Sequence, residues 1–200
     1  KNTTEQYQGL FGKIENATIQ NIEVSSGNIQ GANYCGVIAG YGNNSTIKNC
    51  ENITNITTSE GYTGGIIGKL EGDSVIENCT NQGRIESQGN CGDEFSNACV
   101  GGIVGRAEAQ VNNCINEGDI ISIYSAVGGI IGAADGILNN CQNSGNIIAD
   151  GTYNKGAVAG GIVGHTNESI IGCSNTGNIS SKEQKTGGIA GQADNRSENI

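Results

Sequence analysis

The sequence contains no proline, tryptophan or methionine, and only 4% of its 200 residues are aromatic. A conventional globular core needs large aromatic and leucine side chains, so their scarcity argues against one. Hydrophobic residues still make up 35% of the chain, mainly as isoleucine, valine and alanine. Small and β-branched side chains suit a thin β core, and strands without proline can donate every backbone N–H to a ladder.

Basic residues are also scarce. Ten Lys and Arg stand against 20 Asp and Glu, which gives a net charge of −10. This balance argues against nucleic acids and anionic membranes as partners, and the acidity is typical of a soluble surface. No apolar run approaches the roughly 20 residues that a membrane-spanning helix needs. No secretory signal is visible at the start, and we expect the chain to be a segment of a longer protein.

A glycine-rich motif recurs seven times, most clearly as Gly101-Gly102-Ile103-Val104-Gly105. The last glycine of each copy marks the repeat: Gly12, Gly40, Gly68, Gly105, Gly132, Gly164 and Gly191. The spacings are 28, 28, 37, 27, 32 and 27 residues, so the unit has 27 or 28 residues and two units carry insertions. Internal repeats of this length are typical of solenoids.

Two further blocks follow each marker. The first ends on Asn-Cys, as in Asn78-Cys79, and the second has the form Asn-x-Gly-x-Ile, as in Asn81 to Ile85. The Asn and Gly of the second block predict a turn with positive φ, and its Ile opens another strand. Each unit therefore holds two or three short strands, and helical periodicity is absent.

Such a unit buries its apolar face only by stacking on its neighbours. We predict a single all-β domain over residues 1–200, folded as a parallel β-solenoid of about seven coils of 27–28 residues. We expect the coil to be right-handed.

The repeat, GG-I-[IV]-G followed by x-N-C-x-N-x-G-x-I, resembles the GLUG-motif repeat of bacterial surface and secreted proteins. The resemblance extends from Gly9 to Ile200. That repeat occurs in non-catalytic regions of IgA-specific metallopeptidases and in adhesin-like proteins. The resemblance implies an extracellular or cell-surface location and no chemistry in this segment.

Five of the eight cysteines hold one position of the repeat and predict a buried column of thiols that act as small hydrophobic groups: Cys50, Cys79, Cys114, Cys141 and Cys173. A metal site needs ligands around one point, and a line of thiols does not supply them, so we predict no metal and no cofactor. Cys91 and Cys99 bracket an insertion and predict a disulfide that closes it. Cys35 has no evident partner.

The two insertions, over residues 86–99 and 149–158, are expected to project from one edge of the solenoid, where repeat proteins bind partners. Aromatic residues among polar neighbours suit contact with a host protein or a glycan. The candidate binding residues are Asp93, Glu94 and Phe95 of the first insertion, Tyr153, Asn154 and Lys155 of the second, and Tyr124 between them.

No catalytic site is predicted. Carboxylates such as Asp119, Asp135 and Glu108 are expected at different phases of the repeat, whereas glycoside hydrolysis needs acids that cluster. His165, the one histidine, is expected in a solvent-facing loop.

The two apolar residues of each GGIVG copy suggest that two solenoids could associate side by side. In a continuous strand, neighbouring side chains point to opposite faces. Ile103 is then expected in the core and Val104 on an outer apolar stripe, where the solenoid could self-associate. That hypothesis fails if the stripe is buried within one chain.

The main functional hypothesis is a non-catalytic structural or binding module, serving as a stalk or an adhesin-like region. The alternative is a substrate-presenting or carbohydrate-binding accessory region of a secreted protease or polysaccharide-degrading enzyme.

Overall fold

The computed structural model describes residues 7–88, 99–123, 126–150, 158–182 and 185–194. Every regular element within these ranges is a β-strand. This part of the chain therefore offers no helix that is long and apolar enough to cross a membrane.

The strands form five parallel sheets, and each coil of the chain visits them in the order A, B, C, D and E. Sheet A consists of Tyr62–Gly64, Cys99–Gly101, Ala126–Gly128, Val158–Gly160 and Lys185–Gly187. Sheet B consists of Phe11–Glu15, Ala39–Asn43, Ile67–Glu71, Val104–Ala107, Ile131–Ala134, Val163–Thr166 and Ala190–Ala193. Sheet C consists of Thr18–Gln20, Thr46–Lys48, Val75–Glu77, Gln110–Asn112, Leu138–Asn139 and Ile170–Ile171. Sheet D consists of Glu23–Val24, Glu51–Asn52, Thr80–Asn81, Ile115–Asn116, Gln142–Asn143 and Ser174–Asn175. Sheet E consists of Asn28–Gly31, Asn55–Thr58, Ile85–Ser87, Ile120–Ser122, Ile147–Ala149 and Ile179–Ser181.

Equivalent residues of successive coils lie side by side. Ile67 pairs with Val104 in sheet B, and Ile85 pairs with Ile120 in sheet E. The parallel β-solenoid predicted from the repeat is thus confirmed. The number of coils is slightly lower than predicted, because the seven strands of sheet B enclose six complete coils.

The interior contains two apolar cores. The first lies between sheets B and C and includes Ile66, Ile67 and the column of cysteines. The second lies between sheets E and A and includes Ile85, Ile120 and Cys35. Side chains of the same kind stack along each core, which is why small β-branched residues suffice without large aromatic ones.

Left-handed backbone conformations recur at corners of the coil, but not in the Asn-x-Gly block where they were predicted. Asn78 and Asn113 have φ values of 53° and 51° at the corner between sheets C and D, directly before the cysteines. Asparagine tolerates this conformation better than other side chains do. In the Asn-x-Gly block the glycines have no positive φ; Gly118 is needed there because a Cβ would lie 2.1 Å from the carbonyl oxygen of Gly83 in the preceding coil.

Candidate functional site

A column of buried asparagines runs through the solenoid along sheet D. Asn52, Asn81 and Asn116 are fully buried, and Asn143 is 2% exposed. Each Nδ2 donates to the Oδ1 of the asparagine in the next coil, with distances of 2.6 Å for Asn52 to Asn81 and 2.7 Å for the following steps to Asn116, Asn143 and Asn175. The sequence interpretation placed these asparagines in turns, so the column is a feature that it missed.

Each amide of the column also holds its own coil closed. The Nδ2 of Asn81 donates to the carbonyl oxygen of Gly83 at 2.9 Å, and that of Asn116 donates to the oxygen of Gly118 at 2.9 Å. Both hydrogens of the amide are therefore bonded, one within the coil and one to the next coil. A buried polar group costs little free energy when its hydrogen bonds are made and a great deal when they are not.

The asparagine column begins at Asn52, which has no asparagine beside it in the preceding coil. The preceding coil places Val24 beside Asn52, and Val24 packs against both cores. The Oδ1 of Asn52 instead accepts from the backbone N–H of Thr54 at 2.7 Å and from its hydroxyl at 2.8 Å. This explains why the second repeat has threonine where later repeats have glycine.

The second glycine of each of the first four GG pairs lies against this column. A Cβ on Gly102 would lie 2.3 Å from Cγ of Asn116 and 2.1 Å from the carbonyl oxygen of Gly129 in the next coil. Gly65 and Gly129 contact Asn81 and Asn143 in the same way. The glycines of the motif therefore serve close packing between coils.

The prediction that the GGIVG motif forms an apolar stripe on the outer face is wrong. Ile103 and Val104 are both fully buried in the first core, as are Ile66 and Ile67 one coil earlier. The alternation rule fails because the chain bends at Gly102-Ile103, between sheets A and B, so the two side chains lie on either side of a corner. With the stripe buried within one chain, the argument for lateral self-association falls.

The cysteines of the repeat stand in one column beside the asparagines. Cys50, Cys79, Cys114 and Cys141 are fully buried in the first core, and Cys173 is half-buried in the last complete coil. Hydrogen bonds with the thiols of Cys141 and Cys79, together with burial, raise the pKa of Cys114 well above its ordinary value. Within the described residues no group of three or more His, Cys, Asp or Glu is arranged to hold a metal ion.

Cys35 gives the clearest pH-dependent prediction. It is fully buried in the second core, and burial raises its pKa from 9.0 to about 12. Above pH 9 the unfolded chain releases this proton while the folded chain keeps it, so the free energy of unfolding falls as pH rises towards 12. We expect this thiol alone to lower stability by about 2–3 kcal/mol between about pH 9 and pH 11.

Urea unfolding of the reduced protein at these two pH values measures the loss. A Cys35→Ala variant is the control, because it removes the titrating thiol and should lose correspondingly less stability over the same pH range. Equal losses in the wild type and the variant would contradict the assignment.

The predicted insertions leave and rejoin the solenoid at one corner. The first lies between Ile85–Ser87 and Cys99–Gly101, and the second lies between Ile147–Ala149 and Val158–Gly160, always from sheet E to sheet A. The candidate binding residues lie outside the described residues: Asp93, Glu94, Phe95, Tyr124, Tyr153, Asn154 and Lys155. So does Cys91, whose disulfide with Cys99 stays a prediction; Cys99 itself is fully buried in sheet A.

Charged side chains form two adjoining columns on the outer face of sheet B. One column shares a register directly after the marker glycine and contains Lys13, Lys69, Arg106 and His165. Two positions further on stand Glu15, Glu71, Glu108, Asp135 and Asp194. These acids keep a constant offset of three residues from the marker glycines, so the expectation that Glu108 and Asp135 have different phases was wrong.

The two columns neutralise each other in ion pairs within and between coils. Arg106 Nη2 lies 2.8 Å from Asp135 Oδ2 of the next coil, and Lys69 forms an ion pair with Glu71 of its own strand. His165 lies in a strand, not in a loop, and its Nε2 is 3.0 Å from Asp194 Oδ2. Partly exposed pairs of this kind contribute little individually, but as a network they tie one coil to the next.

Comparison with known proteins supports the repeat assignment. A family model of the GLUG motif matches residues 59–86 and 96–121. These segments correspond to two neighbouring coils, each running from sheet A to sheet E. No curated protein and no solved structure matches the chain at a significant level.

Proposed function

We propose that this chain, whose coils carry the GLUG motif, is a non-catalytic structural and binding module of a bacterial cell-surface or secreted protein. One observation carries the proposal: the residues that recur in every coil join that coil to the next. The asparagine column, the glycine contacts and the outer ion pairs all serve stacking. A repeat with this design builds a stiff extended body, as a stalk or a presenting surface requires.

The location is tested on intact cells of the source organism. Antibodies raised against the recombinant chain should label unpermeabilised cells or detect the protein in the culture medium. Brief protease treatment of intact cells should remove a cell-bound signal. Detection in the cytosolic fraction alone would contradict the proposal.

The non-catalytic role is tested with the purified chain. We expect no turnover of a panel of peptide and polysaccharide substrates. If the chain did catalyse hydrolysis, the column of acidic residues on sheet B would be the best candidate for the active site. Glu71→Gln removes one acid of that column and is the matched variant. Turnover by the wild type that Glu71→Gln abolishes would overturn the non-catalytic assignment.

The binding role of the insertions follows from their shared corner. Replacing residues 88–98 with a three-residue connection, the length found at 123–125, keeps the flanking strands of sheets E and A intact. Screening both proteins against host proteins and glycans should reveal a ligand that the shortened protein has lost. Binding that is unchanged by the replacement would exclude the first insertion as the contact surface.

A further inference from the structure

Four of the six tyrosines in the chain gather at one place, which we name the tyrosine platform: Tyr7, Tyr34, Tyr41 and Tyr62. Ring centroids are 5.0 Å apart for Tyr7 and Tyr34, and 5.3 Å apart for Tyr34 and Tyr62. Tyr41 stands nearly perpendicular to Tyr34, at 83°. In a chain so poor in aromatic residues, this concentration needs an explanation.

The platform lies outside both cores. Cys35 and Thr63 pair across coils and point inward, so their neighbours Tyr34 and Tyr62 point outward. Tyr34 and Tyr62 form a third, outer cluster with small side chains of sheets A and B. Tyr7 is 38% exposed, Tyr34 and Tyr41 are half-buried, and Tyr62 is buried beneath them. The accessible part of the platform is therefore formed by Tyr7, Tyr34 and Tyr41.

The backbone of Tyr34 supports a role beyond packing. Its φ is 44°, a left-handed conformation that a bulky side chain seldom adopts. Backbone strain of this kind persists where the surrounding structure holds it, and it gathers at binding and active sites. Here the conformation sets the Tyr34 ring between those of Tyr7 and Tyr62.

Hydrogen-bonding groups border the rings. The Tyr41 hydroxyl donates to Glu71 Oε2 at 2.6 Å, and this bond raises the pKa of Tyr41 above its ordinary value. Lys13 Nζ lies 5.2 Å from the centre of the Tyr41 ring, and Lys69 Nζ lies 5.6 Å from that of Tyr62. Carboxylates and ammonium groups beside apolar ring faces can bond to a ligand that carries many hydroxyls.

We infer that the tyrosine platform binds an extended, uncharged oligosaccharide of β-1,4-linked pyranose units. The C–H faces of such sugars stack on tyrosine rings, and their equatorial hydroxyls meet Glu71, Lys13 and Lys69. The rings of Tyr7, Tyr34 and Tyr62 follow one another along the coils at 5.0 and 5.3 Å. Such a row suits a straight ligand, and β-1,4 linkage gives a ribbon. The net charge of −10 disfavours polyanionic glycans.

Tyrosine fluorescence gives a direct readout, because the chain has no tryptophan and most of its tyrosines are in the platform. The probes are hexasaccharides of β-1,4-linked glucose, mannose, xylose and N-acetylglucosamine, with α-1,4-linked glucose as the comparison. At least one β-1,4 hexasaccharide should change the fluorescence, with Kd below about 1 mM. Saturation-transfer NMR on the wild-type protein should show contact at the sugar ring protons.

Variants decide whether the platform is the site. Tyr7→Ala and Tyr41→Ala should each weaken binding at least about tenfold, as removal of an aromatic anchor does. Ile148→Ala is the control, since Ile148 is 40% exposed on the outer face of sheet E. Failure of every β-1,4 hexasaccharide to bind would overturn the inference, and so would equal affinity in folded Tyr41→Ala. Neither result would affect the proposed structural module.

Discussion

Gly102→Ala should destabilise the protein by at least about 3 kcal/mol or prevent its folding, which is at the upper end of overpacking costs. The added methyl group would lie 2.1 Å from the carbonyl oxygen of Gly129 and 2.3 Å from Cγ of Asn116. The carbonyl belongs to the bend of the next coil, where the Gly129 N–H donates to the carbonyl oxygen of Gly160, and the amide belongs to the buried column. Neither group can move far without straining these hydrogen bonds. Equilibrium urea unfolding followed by circular dichroism measures the loss.

Gly188→Ala is the matched control within the same chain. Gly188 is the second glycine of the last GG pair, and a Cβ there would meet nothing within 4 Å. Because the added methyl group would contact none of the described residues, alanine should leave stability unchanged or raise it by less than about 1 kcal/mol. Equal destabilisation by Gly102→Ala and Gly188→Ala would mean that the glycines serve backbone conformation and not close packing.

Interrupting the asparagine column should have an effect of similar size. Asn116→Asp keeps the shape of the side chain but removes its donor groups, so the bonds to Asn143 Oδ1 and to the carbonyl oxygen of Gly118 are lost. It also places a carboxylate at a fully buried position. Unpaired buried polar groups and charges predict a loss of about 3–5 kcal/mol at neutral pH, measured by urea unfolding.

The control for this substitution is an asparagine stack on the surface. Asn178 is exposed, and its Nδ2 donates to Oδ1 of Asn146 at 3.1 Å, one coil earlier. Asn178→Asp changes the same chemical group in water and should alter stability by less than about 0.5 kcal/mol. If Asn116→Asp were equally mild, the buried column would not hold the coils together.

The recurrence of GGIVG was sufficient to predict the solenoid, because a repeat of 27 or 28 residues without helical periodicity has few other solutions. The same glycines also mark the acid column, since Glu71 and Glu108 each stand three residues beyond a marker glycine. That column could have been found by aligning every residue to the markers. The cysteine column was predicted in this way, and its first four members are fully buried.

Two features could not be read from local rules. The bend at Gly102-Ile103 places two successive side chains in one core, and strand alternation assumes that no such bend occurs. Asparagine is more often a turn residue than a buried one, so the sequence alone predicts turns at Asn81 and Asn116. Their burial depends on the facing GG glycines, and this contact becomes visible only once the coil is closed.

The distance between spin labels at positions 13 and 192 tests the stacked register most directly. Lys13 and Gln192 lie in one row on the outer face of sheet B, separated by six coils. Labels introduced as non-natural amino acids leave the native cysteines untouched, and pulsed electron paramagnetic resonance reads the separation. The stacked register predicts a single narrow distribution near about 29 Å, six spacings of about 4.8 Å. A broad distribution, or one centred beyond about 40 Å, would contradict it.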